Sequence, residues 1–141
     1  MARIDPSESA IKYGARLGIM LYLETASSAT EQRAFEKRLR NANAPGCVPT
    51  EMICQWEDCF RLEDADHFGA PEFSNEEQRA MFRFHSVWNQ VADETPDPMP
   101  PNINDLIGTQ VWQKLIDAAA EALATFEVRG QLRHLAESEE N

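Results

Sequence analysis

The chain has 141 residues, with 24 acidic against 13 basic side chains and a net charge of −11. That length fits one domain able to bury a core without metals or disulfides, and seven Phe, three Trp and two Tyr exclude a wholly disordered polymer. The charge excludes non-specific binding to nucleic acid or anionic membrane, which relies on Lys and Arg, and favours basic protein surfaces.

The start, Met1 to Pro6, lacks the apolar stretch of a signal peptide. The longest apolar run, Leu17 to Leu23, is too short to span a bilayer. Three Cys give no disulfide framework, so a reduced, cytoplasmic protein is expected.

Asp5-Pro6-Ser7-Glu8 carries a helix start, with Asp5 as N-cap, Pro6 at the first helical position and Glu8 three residues after the cap. The helix is predicted to reach about Ala26. Around Leu17 to Leu23 it is apolar on nearly every side, the pattern of a central helix, and a short buried β-strand is the competing assignment. Ser28 and Glu31 outline a second capping box. The helix behind it carries Ala34, Phe35, Leu39 and Ala42 on one face and stops at Asn43-Ala44-Pro45-Gly46. A third helix fits Thr50 to about Glu63, with Met52, Ile53, Trp56, Cys59 and Phe60 inward.

Ser74 and Glu77 cap a fourth helix, whose inner face is Ala80, Met81, Phe84, Val87, Trp88 and Val91. Thr95 to Pro101 holds four prolines and reads as an extended connector, although Pro98 to Pro101 also suits an SH3-like groove. The last long helix is predicted from near Asn104 to about Arg129, with Val111, Trp112, Leu115, Ile116, Ala119, Ala122, Leu123 and Phe126 in one stripe. A short turn, Gln131 to Ala136, follows. The expectation is an all-α, single-domain bundle of about five helices over residues 1–136, with a disordered acidic tail at 137–141.

The acids crowd together. Glu57, Asp58, Glu63, Asp64, Asp66, Glu72, Glu76 and Glu77 fall in one stretch whose only Lys or Arg is Arg61. Within it, Asp64-Ala65-Asp66-His67-Phe68-Gly69 opens like a calcium loop, but Phe68 and Asn75 occupy positions five and twelve, where oxygen ligands belong. Cys47, Cys54, Cys59 and His67 are separated by six, four and seven residues, not the short pairs that clamp zinc. Cys59 shares the apolar stripe and reads as a small core residue.

The three His, at 67, 85 and 134, lie in no nucleophile-elbow context, and no Gly-rich phosphate loop is present. Helical nucleotide pyrophosphohydrolases place magnesium-binding acids at i, i+1 and i+4; after Glu76 and Glu77 that last position is Ala80. No cofactor, metal or catalytic residue is assigned.

Four features bear on binding. Phe68 and Phe73, inside the acidic loop, either anchor a partner or staple the loop to the core. Phe82 lies ~160° from Phe84 on its helix, so it packs under another element or stands exposed as an anchor. Ala10, Gly14 and Gly18, four residues apart, make either a close helix crossing or a homodimer seam. Arg33, Lys37, Arg38 and Arg40 make the second helix the basic element, an anion site or a set of internal ion pairs.

These features point to a non-enzymatic protein that binds a partner with a basic surface: an immunity protein, antitoxin or phage-encoded inhibitor. Asp64, Asp66, Glu72 and Glu76 would steer the encounter, and Phe68, Phe73 and Phe82 would anchor it. The alternatives are a helical scaffold self-associating through Ala10, Gly14 and Gly18, and a metal-dependent enzyme using the acidic loop 64–72.

Overall fold

Three helices begin by the same device. The hydroxyls of Ser28, Ser74 and Thr109 accept the backbone N–H of Glu31, Glu77 and Trp112 at 3.1, 3.1 and 3.2 Å. This satisfies amide groups that the first helical turn leaves without partners. At Ser74 the box is complete, because Glu77 returns a carboxylate oxygen to the Ser74 N–H at 2.8 Å.

The computed structural model describes residues 6–132. It forms an all-α single domain with five α-helices among those residues: α1 (Pro6–Ala26), α2 (Ala29–Asn41), α3 (Val48–Cys59), α4 (Asn75–Glu94) and α5 (Gln110–Glu127). Asp5, His134, the end of the expected turn to Ala136 and the tail 137–141 lie outside the described residues. α4 packs along α5, and α1 crosses α5, α2 and α3.

Two boundaries differ from the periodicity. The third helix starts earlier, with Pro49 in its first turn, and ends at Cys59. A 3-10 segment, Leu62–Phe68, follows it. The last helix starts later. Gly108, at φ 97, turns the chain in a conformation that L side chains disfavour, and Thr109 then caps α5. Only a 3-10 turn, Ile103–Asp105, precedes it.

A row of rings joins the elements. Tyr22 meets Trp56 at 5.5 Å between centroids, Trp56 stacks on Phe60 at 4.9 Å, and Phe60 touches Phe68 at 5.2 Å. Phe68 meets Phe73 edge-on at 5.4 Å, and Phe73 reaches Phe126 of α5 at 6.0 Å. Trp56, Trp88 and Trp112 all lie in the core.

The row ends at Arg16, whose guanidinium lies 5.0 Å from the Phe126 ring centroid and is fully buried. Its N–H groups donate to the Glu77 carboxylate at 2.7 Å, to the carbonyls of Glu72 and Phe126, and twice to that of Gly130. Gly130 presents its carbonyl from a left-handed turn, φ 75, just beyond α5. Arg129 closes the cluster from the other side, donating to Glu77 at 2.6 and 3.2 Å and to the carbonyls of Pro71 and Glu72.

Glu77 therefore sits at the N-terminus of α4, and Arg16 caps the C-terminus of α5. Each charge lies at the helix end whose dipole favours it. Burial pushes the Glu77 carboxyl up, but the hydrogen bonds from Arg129, Arg16 and the Ser74 N–H overcome this and bring it down to about 2. Arg129 is correspondingly raised, chiefly by its hydrogen bond to Glu77.

Helix α2 is held through polar side chains. Its buried residues are Gln32 and Glu36, while Phe35 and Leu39 are only partly covered and Ala42 is exposed. Gln32 donates to the Ala26 carbonyl at 3.0 Å and accepts the Trp112 indole N–H at 2.8 Å. Glu36 accepts the Ile103 N–H at 2.7 Å, and Arg33 and Arg40 donate to Asn104 and Asn102. The basic residues of α2 thus help to pin the segment before α5. Met99 of the Pro-rich stretch packs on the core. Gln32→Ala would strand a buried indole N–H and is expected to cost about 1–3 kcal/mol in chemical denaturation.

Candidate functional site

The end of α3 and the middle of α4 enclose a groove of about 580 Å³. One wall is aromatic, Phe60, His85 and Trp88, but Phe60 and Trp88 are only 4% and 8% exposed, so His85 forms most of its open surface. The other lining is polar, with Glu57, Asp58, Arg61, Glu63 and Asn89. These positions follow from helix geometry. Phe82, His85 and Asn89 recur at i, i+3 and i+7 along one stripe of α4, while Phe84 and Trp88 turn to the core.

His85 is fixed from behind. Its Nδ1 accepts the Trp56 indole N–H at 3.2 Å, which requires a neutral ring with the proton on Nε2. Burial lowers its pKa further. The ring stacks on Trp88 at 5.3 Å, and the Trp88 indole N–H is held by the Ile53 carbonyl at 3.0 Å. Phe82 meets Phe60 edge-on at 5.5 Å and remains 53% exposed. Glu57, Asp58 and Glu63 are exposed, and Arg61 reaches Asp58 and Glu63 only at 4.0 and 3.9 Å.

Several expected contact residues lie elsewhere. Phe68 and Phe73 are buried at 8% and 0% exposure, so the expectation of exposed anchors is corrected: apolar burial uses both rings to fasten the 3-10 segment and following turn to the core. Glu72 is corrected likewise. It is 3% exposed, its Oε1 accepts the Ser9 hydroxyl at 3.1 Å, and its Oε2 has no hydrogen-bond partner among the described residues. Asp66 and Glu76 are exposed. Asp66 lines a separate recess with Glu8, Ile11, Lys12 and His67. The Asp64 side chain lies outside the described residues.

The acids at the groove, Glu57, Asp58 and Glu63, belong to the stretch singled out by composition but were not assigned to the site. His85, weighed only as a possible base, and Asn89, beside Phe82 on the wet face, were given no site role. Their shared stripe with Phe82 was the available signal.

The first helix is central, as expected, packing on α2, α3 and α5 with Ile19, Met20, Tyr22 and Leu23 buried, but the described residues leave one side of it open. On that side Ile11 and Leu21 are 48% and 60% exposed. Ala10 and Gly14 are exposed, and a Cβ built on Gly14 or Gly18 meets nothing within 4 Å, so no close crossing among the described residues uses them. Gly14→Ala and Gly18→Ala should each raise stability by about 0.5–1 kcal/mol, because glycine weakens a helix interior. A thermal melt with size-exclusion chromatography checks this, since a seam that needs both glycines would lose self-association instead.

Cys47, Cys54 and Cys59 are free, and burial pushes the Cys59 thiol up to about 12. Among the described residues no three His, Cys, Asp or Glu side chains are grouped to hold a metal ion. No helix among them is long and apolar enough to cross a membrane. No protein-family model matches the chain, and comparisons with curated proteins and with solved structures give no match either.

Proposed function

We propose that the chain is a non-enzymatic binding protein that masks a basic functional surface of a partner protein, in the manner of an inhibitor or antidote. The observation that carries this reading is the α3–α4 groove, where three exposed carboxylates border an aromatic wall and Phe82 stands exposed beside it. Carboxylates at such a rim accelerate encounter with a cationic surface, and desolvated aromatics supply the affinity. The anchor is Phe82, in place of Phe68 and Phe73.

The test is affinity capture from a lysate of the source organism with the tagged chain, run beside a Glu57→Lys/Asp58→Lys/Glu63→Lys variant. A stoichiometric basic partner that elutes with salt and is lost by the variant is expected. Equal, salt-insensitive retention by both chains would overturn the reading.

A second reading is self-association. Ile11, Gly14, half-buried Gly18 and Leu21 line a side of α1 that the other described residues leave largely open, and an apolar stripe of this kind suits a two-fold helix pair. Analytical ultracentrifugation of the native chain and Leu21→Glu tests it: a dimer dissociated by the substitution is the expected result.

A further inference from the structure

The groove has features that a generic acidic patch lacks. Phe60 and Trp88 are nearly buried, so the aromatic surface open to a ligand is His85 with Phe82 beside it. The imidazole is held neutral by the Trp56 N–H, so it carries no positive charge to oppose a cation. The groove's rim places Glu57, Asp58 and Glu63 around the same opening. A guanidinium already rests at that opening: Arg61 belongs to the lining, yet it lies no closer than 3.9 Å to either carboxylate and is half exposed. It is therefore held too loosely to satisfy the rim.

From this we infer that the groove is a receptor for an arginine side chain on a basic segment of a partner protein, and that Arg61 is its displaceable resident. The inference rests on the acidic-face reading above and narrows it. A planar guanidinium stacks on aromatic faces and offers paired N–H groups to carboxylates, whereas an ammonium of equal charge does neither as well. The groove is large enough for one such side chain with part of its stem, and Phe82 is placed to cover adjacent peptide.

The probes are two short capped peptides, one alternating glycine with arginine and the other alternating glycine with lysine. Each is titrated into the isotopically labelled full chain at moderate salt, followed by amide and indole NMR signals. The arginine peptide is expected to bind about fivefold more tightly than the lysine peptide. The Trp56 and Trp88 indole signals should move, and that of Trp112, bonded to Gln32 away from the groove, should not. Arg61→Gln should tighten binding roughly threefold, and Glu57→Gln/Glu63→Gln should weaken it roughly tenfold, with the fold monitored by the unchanged Trp112 signal.

Equal affinity for the two peptides, with shifts spread over the acidic surface, would overturn the arginine receptor and leave the acidic-face reading standing. An arginine preference that maps away from Trp88 would overturn the groove as its location. Absence of binding by both peptides would count against the receptor and the acidic face together.

Discussion

Replacing Glu77 by Gln is expected to lower stability by about 3–5 kcal/mol, the usual loss when a buried charge is deprived of its partner. Arg16 would stay fully buried with neutral acceptors alone, the carbonyls of Glu72, Phe126 and Gly130 and the new amide oxygen, and no counter-charge. The Ser74 N–H and Arg129 would lose a carboxylate in the same step. For a chain of this length the melting temperature should fall by roughly 10 °C or more. Arg129→Met should cost less, because Arg129 is 32% exposed and water can take its place. Urea denaturation of the two variants measures the difference, and an equal loss in both would contradict the burial argument.

The same carboxylate sets an acid limb. Its folded value of about 2 lies below its ordinary value of 4.5, so its contribution is complete above about pH 4.5 and fades as pH falls toward 2. A shift of that size corresponds to roughly 3 kcal/mol at neutral pH. The wild-type denaturation midpoint should decline through this window, and that of Glu77→Gln should decline less.

Trp56→Ala is expected to cost about 3–5 kcal/mol, the range for truncating a large buried ring. Trp56 is fully buried and touches Tyr22, Phe60 and Phe84, so its removal leaves a cavity bordered by three elements. It would also free His85 Nδ1 and admit water behind the groove, and the His85 pKa should rise toward 6.5. Trp56→Phe keeps much of the packing and removes only the donor. A smaller stability loss with a similar rise in the His85 pKa, read from imidazole NMR shifts against pH, would separate the two roles. An unmoved pKa in both variants would show that Trp56 does not govern His85.

Much of the fold was legible in local pattern. Ser28 and Ser74 marked helix starts, and the stripes from Ala80 to Val91 and from Val111 to Phe126 marked the faces on which α4 and α5 are buried. A stripe of apolar residues needs a partner surface, and periodicity alone discloses which side must be covered. Arg16 left a fainter mark, as the one charge between Lys12 and Glu24 in an otherwise apolar run. Its partners, Glu77 and the carbonyl at Gly130, lie 61 and 114 residues away.

The sequence by itself determined an acidic, all-α chain with its carboxylates concentrated before α4, because charge balance is a matter of composition and helical period a property of neighbouring residues. Which of those carboxylates face water was decided by tertiary structure alone. Glu77 is drawn inward by two arginines from distant elements, Glu72 is carried in with the turn that Phe68 and Phe73 fasten, and Glu57, Asp58 and Glu63 remain outside. The groove exists because α3 stops at Cys59 and α4 passes beside it, bringing Phe60 against His85 and Phe82. Apolar burial and ion pairing act between segments far apart in sequence, so the exposed face of an acidic stretch emerges only once the chain has packed.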